Sequence, residues 1–215
     1  MTHVPEITLT EEGARWLESA VERVRADARA LDALFPAAGR MCGRGPVPGA
    51  PGWTVDEVVR VRLLLALPRK GAELGETLFE LYSHGDAAER AAVLRSLAAL
   101  ADASDLGEAG VPIVRDALRT SDTRLIQAAM GPYAAANLPD HTYRHAVLKC
   151  VFVGVPLAFV SGLDTRCDEE LARMMADYAE ERLLAGREVP ADVWPLVERH
   201  PTVLTRINAL IGEER

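Results

Sequence analysis

No segment of this chain sustains the alternation of apolar and polar residues that a half-buried strand requires, and that absence limits the fold more than any motif does. Val151–Val160 is apolar enough for one buried strand, but a lone strand has nothing to pair with. Apolar residues recur instead at helical spacing. Trp16, Leu17, Ala20, Val21, Val24, Ala28, Leu31 and Leu34 define a first helix, capped by Thr8 or Thr10 and running to about Leu34. Pro36 to Gly52 is rich in Gly and Pro and is expected to be an irregular, mobile loop. Thr54-Val55-Asp56-Glu57 then opens a second helix, which Pro68 ends. Further helices are expected at about 71–83, 86–101, 108–120, 122–137, 140–153, 168–185, 190–199 and 202–213.

Short turns between such helices imply an all-α, HEAT-like stack of antiparallel helix pairs. Asp122-Thr123-Arg124-Leu125-Ile126-Gln127-Ala128-Ala129 resembles the second helix of a HEAT repeat, although the period is irregular. Residues 1–53 read as an N-terminal helix plus loop, and 54–215 as the main helical part of one continuous domain.

Charge and composition exclude several functions. A net charge of -8 and no run of Lys and Arg argue against a nucleic-acid partner. Cys42, Cys150 and Cys167 are odd in number and lack CxxC spacing, which opposes a disulfide framework. There is no basic segment followed by an apolar stretch at the start, so no secretory signal is expected. The 146–160 run is too short for a membrane span and is interrupted by Lys149, Gly154 and Pro156. The expectation is a soluble, reduced, cytoplasmic protein.

Lys149 is the one polar side chain in that run, the most apolar of the chain, so the run and its lysine are expected inside. A buried ammonium costs several kcal/mol without a carboxylate. Lys149 therefore either meets an acid, with Asp164 and Asp177 as rivals, or lines a polar pocket. On the 140–153 helix His141, Arg144, His145 and Lys149 span an arc of roughly 140°, while Val147, Cys150 and Val151 face the core. Such a stripe suits an anionic ligand, and it equally suits structural ion pairs. His141 and His145 have i, i+4 metal spacing, but Arg144 lies between them and only Asp164 offers a third ligand, so no metal or cofactor is expected.

Asp164 and Arg166 follow the run in a turn begun by Ser161-Gly162. Either Asp164 folds back over Lys149, or it serves locally as a cap or an arginine partner. On the 168–185 helix Leu171, Met174, Met175 and Tyr178 form the packed face, and Arg173 can pair with Asp177. Asp177 and Glu181 could divide acid and base roles, or simply lie on a solvated face. Desolvation could make Lys149 a nucleophile unless a carboxylate restores its charge. Arg40 and Arg44 could activate Cys42.

The strings His145-Ala146-Val147-Leu148-Lys149, Gly162-Leu163-Asp164-Thr165-Arg166 and Leu171-Ala172-Arg173-Met174-Met175-Ala176-Asp177-Tyr178 resemble the EboA family. Glu181-Arg182, Ala185 to Pro190 and Trp194 continue the resemblance over about 121–198. Glu180 and Leu183 stand where many members have His and Trp; if those residues serve the site in relatives, a different ligand is implied here. The resemblance implies a metabolite-traffic setting and no assigned catalytic residue. The leading expectation is an accessory protein binding a polar or anionic metabolite. His141, Arg144, His145 and Lys149 would supply donors, with Arg166 beside them and Asp164, Asp177 and Tyr178 orienting them. The alternatives are an enzyme using His145, Asp164 or Lys149 in acid–base chemistry, and a helical scaffold for a pathway protein partner. An exposed apolar patch on the 54–101 helices would favour the scaffold.

Overall fold

The computed structural model describes residues 4–201 and 205. Among the described residues the chain is all-helical, with an isolated bridge between Pro46 and Thr54 as its β-type pairing. It divides into two compact units, Met1–Ala129 and Met130–Arg215.

The first unit holds α1 (Glu11–Ala26), α2 (Leu31–Cys42), α3 (Val55–Leu65), α4 (Gly71–His84), α5 (Ala87–Ser104), α6 (Val111–Ala117) and α7 (Thr123–Ala129). Thr10 caps α1 by accepting from Gly13 N–H at 3.1 Å. The single helix expected to Leu34 is broken at Asp27, whose extended backbone and side-chain bond to Arg29 N–H start a new turn. Local capping chemistry overrides apolar spacing there. The expected loop is also shorter than its Gly and Pro content implied: α2 continues through Pro36 to Cys42. Leu34, Phe35 and Ala38 bury one face of α2, and that packing outweighs the hydrogen bond lost at proline. The remaining segment, 43–53, is held by Val47 N–H donating to Trp53 C=O and by burial of Val47.

The α5 helix is the centre of this unit, touching α3, α4 and α7. Its Ala91, Ala92, Ala98 and Ala99 are all buried, and small side chains on several faces let neighbours close in around it. Asp86 accepts from Ala88 and Glu89 N–H while Glu89 accepts from Asp86 N–H, a reciprocal cap at its start. Arg60 lies near Glu89 and Glu57 meets Arg95, so α3 and α5 run in opposite directions.

The second unit holds α8 (Pro132–Asn137), α9 (Asp140–Val153), α10 (Leu163–Arg166), α11 (Glu169–Leu184) and α12 (Trp194–Glu198). The helix expected at 122–137 is split by Gly131-Pro132, with proline opening α8 where its missing N–H costs nothing. At the end of α9, Gly154 is left-handed (φ 78°), and Gly154 and Val155 N–H donate back to Val151 and Cys150 C=O. The apolar run is therefore cut into helix, turn and a 3-10 segment at Leu157–Phe159. It is not wholly inside: Phe152 is 60% exposed, and Gly154, Pro156 and Ala158 also face solvent. The helix expected at 202–213 lies outside the described residues, Thr205 excepted.

Candidate functional site

Among the described residues the fully buried cation is Arg60, while Lys149 is half-buried. Arg60 is 1% exposed within the buried α3 helix and donates to Asp56 Oδ2 at 2.5 Å and to Phe35 C=O at 3.1 Å. Asp56, one turn earlier, is buried with it. Glu89 Oε1 lies 4.0 Å away on α5. Beside them Glu57 pairs with Arg95 at 3.2 Å, and the Arg95 guanidinium lies 4.8 Å from the Trp53 ring centre. Burial pushes the Glu57 carboxyl up and the Arg95 guanidinium down, each partly offset by the other. Val58-Val59-Arg60-Val61 sets a cation among apolar neighbours just as the run around Lys149 does, with an acid at i−4 to complete it.

Lys149 itself is half-buried and is not left without an interaction. It lies three residues before Phe152, whose ring meets the buried Tyr178 edge-on at 4.9 Å. Arg144 forms a forked contact with Asp168, its Nε 3.0 Å from both carboxylate oxygens. That guanidinium holds the Asp168 carboxyl below its usual range, and Asp168 also caps α11 through Leu171 N–H. With Arg144 on Asp168 and Phe152 on Tyr178, α9 and α11 run in broadly the same direction.

His141 and His145 stay exposed, their ring centres 4.4 Å apart. Asp164 is 91% exposed and accepts from Arg199 at 2.8 Å. Asp177 accepts from Arg173 at 2.7 Å. Arg166 donates to Ala135 and Leu138 C=O and to Asp140, and lies 4.2 Å from the Tyr143 ring centre. It thus ties the end of α8 to the start of α9. The structure joins Arg144 with Asp168 and His141 with His145, and it commits Asp164, Asp177 and Arg166 to other partners.

The thiols are poor nucleophiles. Burial pushes Cys150 up to about 12, and it raises Cys42 and Cys167 as well, so Arg40 and Arg44 do not activate Cys42. Among the described residues no three His, Cys, Asp or Glu side chains gather as a metal site.

A cleft of about 430 Å³ opens in the first unit. Leu31, Phe35 and Leu81 give it an apolar lining. Three carboxylates (Asp32, Glu80, Glu89) and two guanidiniums (Arg29, Arg69) line it as well, with His84 at one end of α4. Glu89 joins the cleft to the Arg60 network, since the same side chain belongs to both. A cleft of this volume, with charged groups set around an apolar patch, can hold a small molecule. Nothing in the sequence drew attention here, because the lining comes from four separated segments.

The family model described as metabolite traffic protein EboA matches residues 38–198. The chain belongs to the EboA family. The match begins far upstream of the strings that carried the resemblance, so α3 to α7 are EboA structure as much as α9 and α11. No curated protein and no solved structure matches the chain. Of the cleft residues, those on α4 and α5 fall inside the EboA match, while Arg29, Asp32 and Phe35 precede it.

Proposed function

We propose that this EboA-family chain is an accessory protein of a secondary-metabolite pathway, working in the cytoplasm, that binds a small polar metabolite and passes it on unchanged. The observation that carries this reading is the cleft of about 430 Å³ with both signs of charge on an apolar bed. The family's metabolite-traffic description agrees with it. Acid–base chemistry at His145, Asp164 and Lys149 is less well supported, because Asp164 is engaged by Arg199 in open solvent. The outer face of α9, with exposed His141 and His145 beside Lys149, is a rival seat for an anion. A HEAT-like stack is supported by the opposed directions of α3 and α5.

The test is a thermal-shift screen of pathway-type metabolites, with each hit followed for turnover. Stabilisation without product, reduced when Glu80 or Arg69 is replaced and kept when His141 and His145 are replaced, is expected. Turnover, or dependence on the histidines alone, defeats the reading.

A second reading has its own observation. Phe79 on α4 is 45% exposed beside an apolar hollow of about 500 Å³ bordered by Ala72, Gly75, Ala109 and Pro112. That is the exposed patch a scaffold needs for a pathway protein partner. Loss of association with a purified pathway protein in Phe79→Ser, with ligand binding intact, would favour it.

A further inference from the structure

Resting on the cleft as the binding site, the geometry points to a zwitterionic ligand: an amino acid-like molecule with its ammonium and carboxylate separated by a short apolar body. The reason is a polarity along α4. Arg69 is anchored at the early part of the helix, 3.2 Å from Glu73 and hydrogen-bonded to Thr77. Glu89 and His84 line the cleft at the other end, where Gly85 turns the chain into α5. Thr77 to His84 is seven residues, about 10 Å of helix. Glu80 lies between, about midway from Thr77 to His84, with Asp32 contributing from α2.

Three carboxylates against two guanidiniums, Arg29 and Arg69, leave the cleft net acidic, which repels a dianion and attracts an ammonium. A diamine, however, would set its second charge against Arg69. A molecule carrying one charge of each sign satisfies both ends, and Leu31, Phe35 and Leu81 cover the methylenes between them. Glu89 is held by the Asp86 cap and faces Arg60, so the acidic end is fixed before a ligand arrives.

Three six-carbon probes of matched length test this by calorimetric titration of the full chain: ε-aminocaproate, adipate and hexamethylenediamine. ε-Aminocaproate is expected to bind tightest. Glu80→Gln should weaken ε-aminocaproate and the diamine by about fivefold and tighten adipate, from which a like charge is removed; Arg69→Met should weaken ε-aminocaproate and adipate and tighten the diamine for the same reason. Both side chains are at the surface, and circular dichroism checks that each variant folds. Adipate or the diamine binding tightest, with the cleft variants still mattering, overturns the zwitterion assignment while keeping the cleft. Absence of binding by all three, or binding indifferent to both substitutions, removes the cleft itself.

Discussion

Arg60 shows what one side chain can hold together. It draws Asp56 and the Phe35 carbonyl onto one buried cation, with Glu89 nearby. Arg60→Met leaves Asp56 buried without its cation, and is expected to cost about 3–5 kcal/mol in urea denaturation. Adding Asp56→Leu should recover part of that loss, because an apolar pair of similar size removes the stranded charge. Recovery would separate an unpaired charge from lost packing as the cause. Tyr143 gives a second test. Its hydroxyl donates to Ser161 C=O at 2.6 Å, and burial pushes its pKa up to about 12. Between pH 10 and 12 the unfolded chain loses this proton and the folded chain keeps it. Stability must therefore fall as pH rises through that window, by on the order of 1 kcal/mol per pH unit from this group. Tyr143→Phe should flatten that part of the pH–stability curve relative to the parent; an unchanged slope would show that other groups set it.

At the scale of the element, Gly162 marks a place where backbone and packing leave no room. It opens α10 with φ 86°, and an added Cβ would lie 2.7 Å from the Ala135 Cβ of α8. Gly162→Ala should destabilise by about 2 kcal/mol or more, read as a lower melting temperature. The same change at Gly154, where nothing lies within 4 Å, should cost only the conformational penalty. These elements also show how much a sequence discloses. The α9 helix was legible to within a residue, because Pro139 and Gly154 bracket a periodic stretch. The break at Asp27 and the extension of α2 past Pro36 were not: a local cap to Arg29 N–H interrupts an unbroken apolar period at the first, and packing against residues far off in sequence sustains the second. The ion pair from Arg144 to Asp168 was foreseeable only as a class, because a helical wheel fixes the direction of a side chain and not what faces it. The cleft was invisible for the same reason: no window of sequence contains Asp32, Arg69, Glu80 and Glu89 together.

For the whole molecule, a charge of -8 dominates encounters at long range. Fluorescence anisotropy with duplex DNA at low salt should show no association, and a salt-sensitive complex would contradict the charge argument. Among the described residues no helix is long and apolar enough to cross a membrane. The two faces of α4 bear on how a carrier of this kind would let go. Glu80 borders both the charged cleft and the apolar hollow next to Phe79. On the proposed reading, a molecule settled on one side would alter the freedom of a carboxylate that the other side uses, so cargo and docking protein would be thermodynamically coupled through it. Unloading would then need no bond to break: arrival of the recipient would itself be the signal.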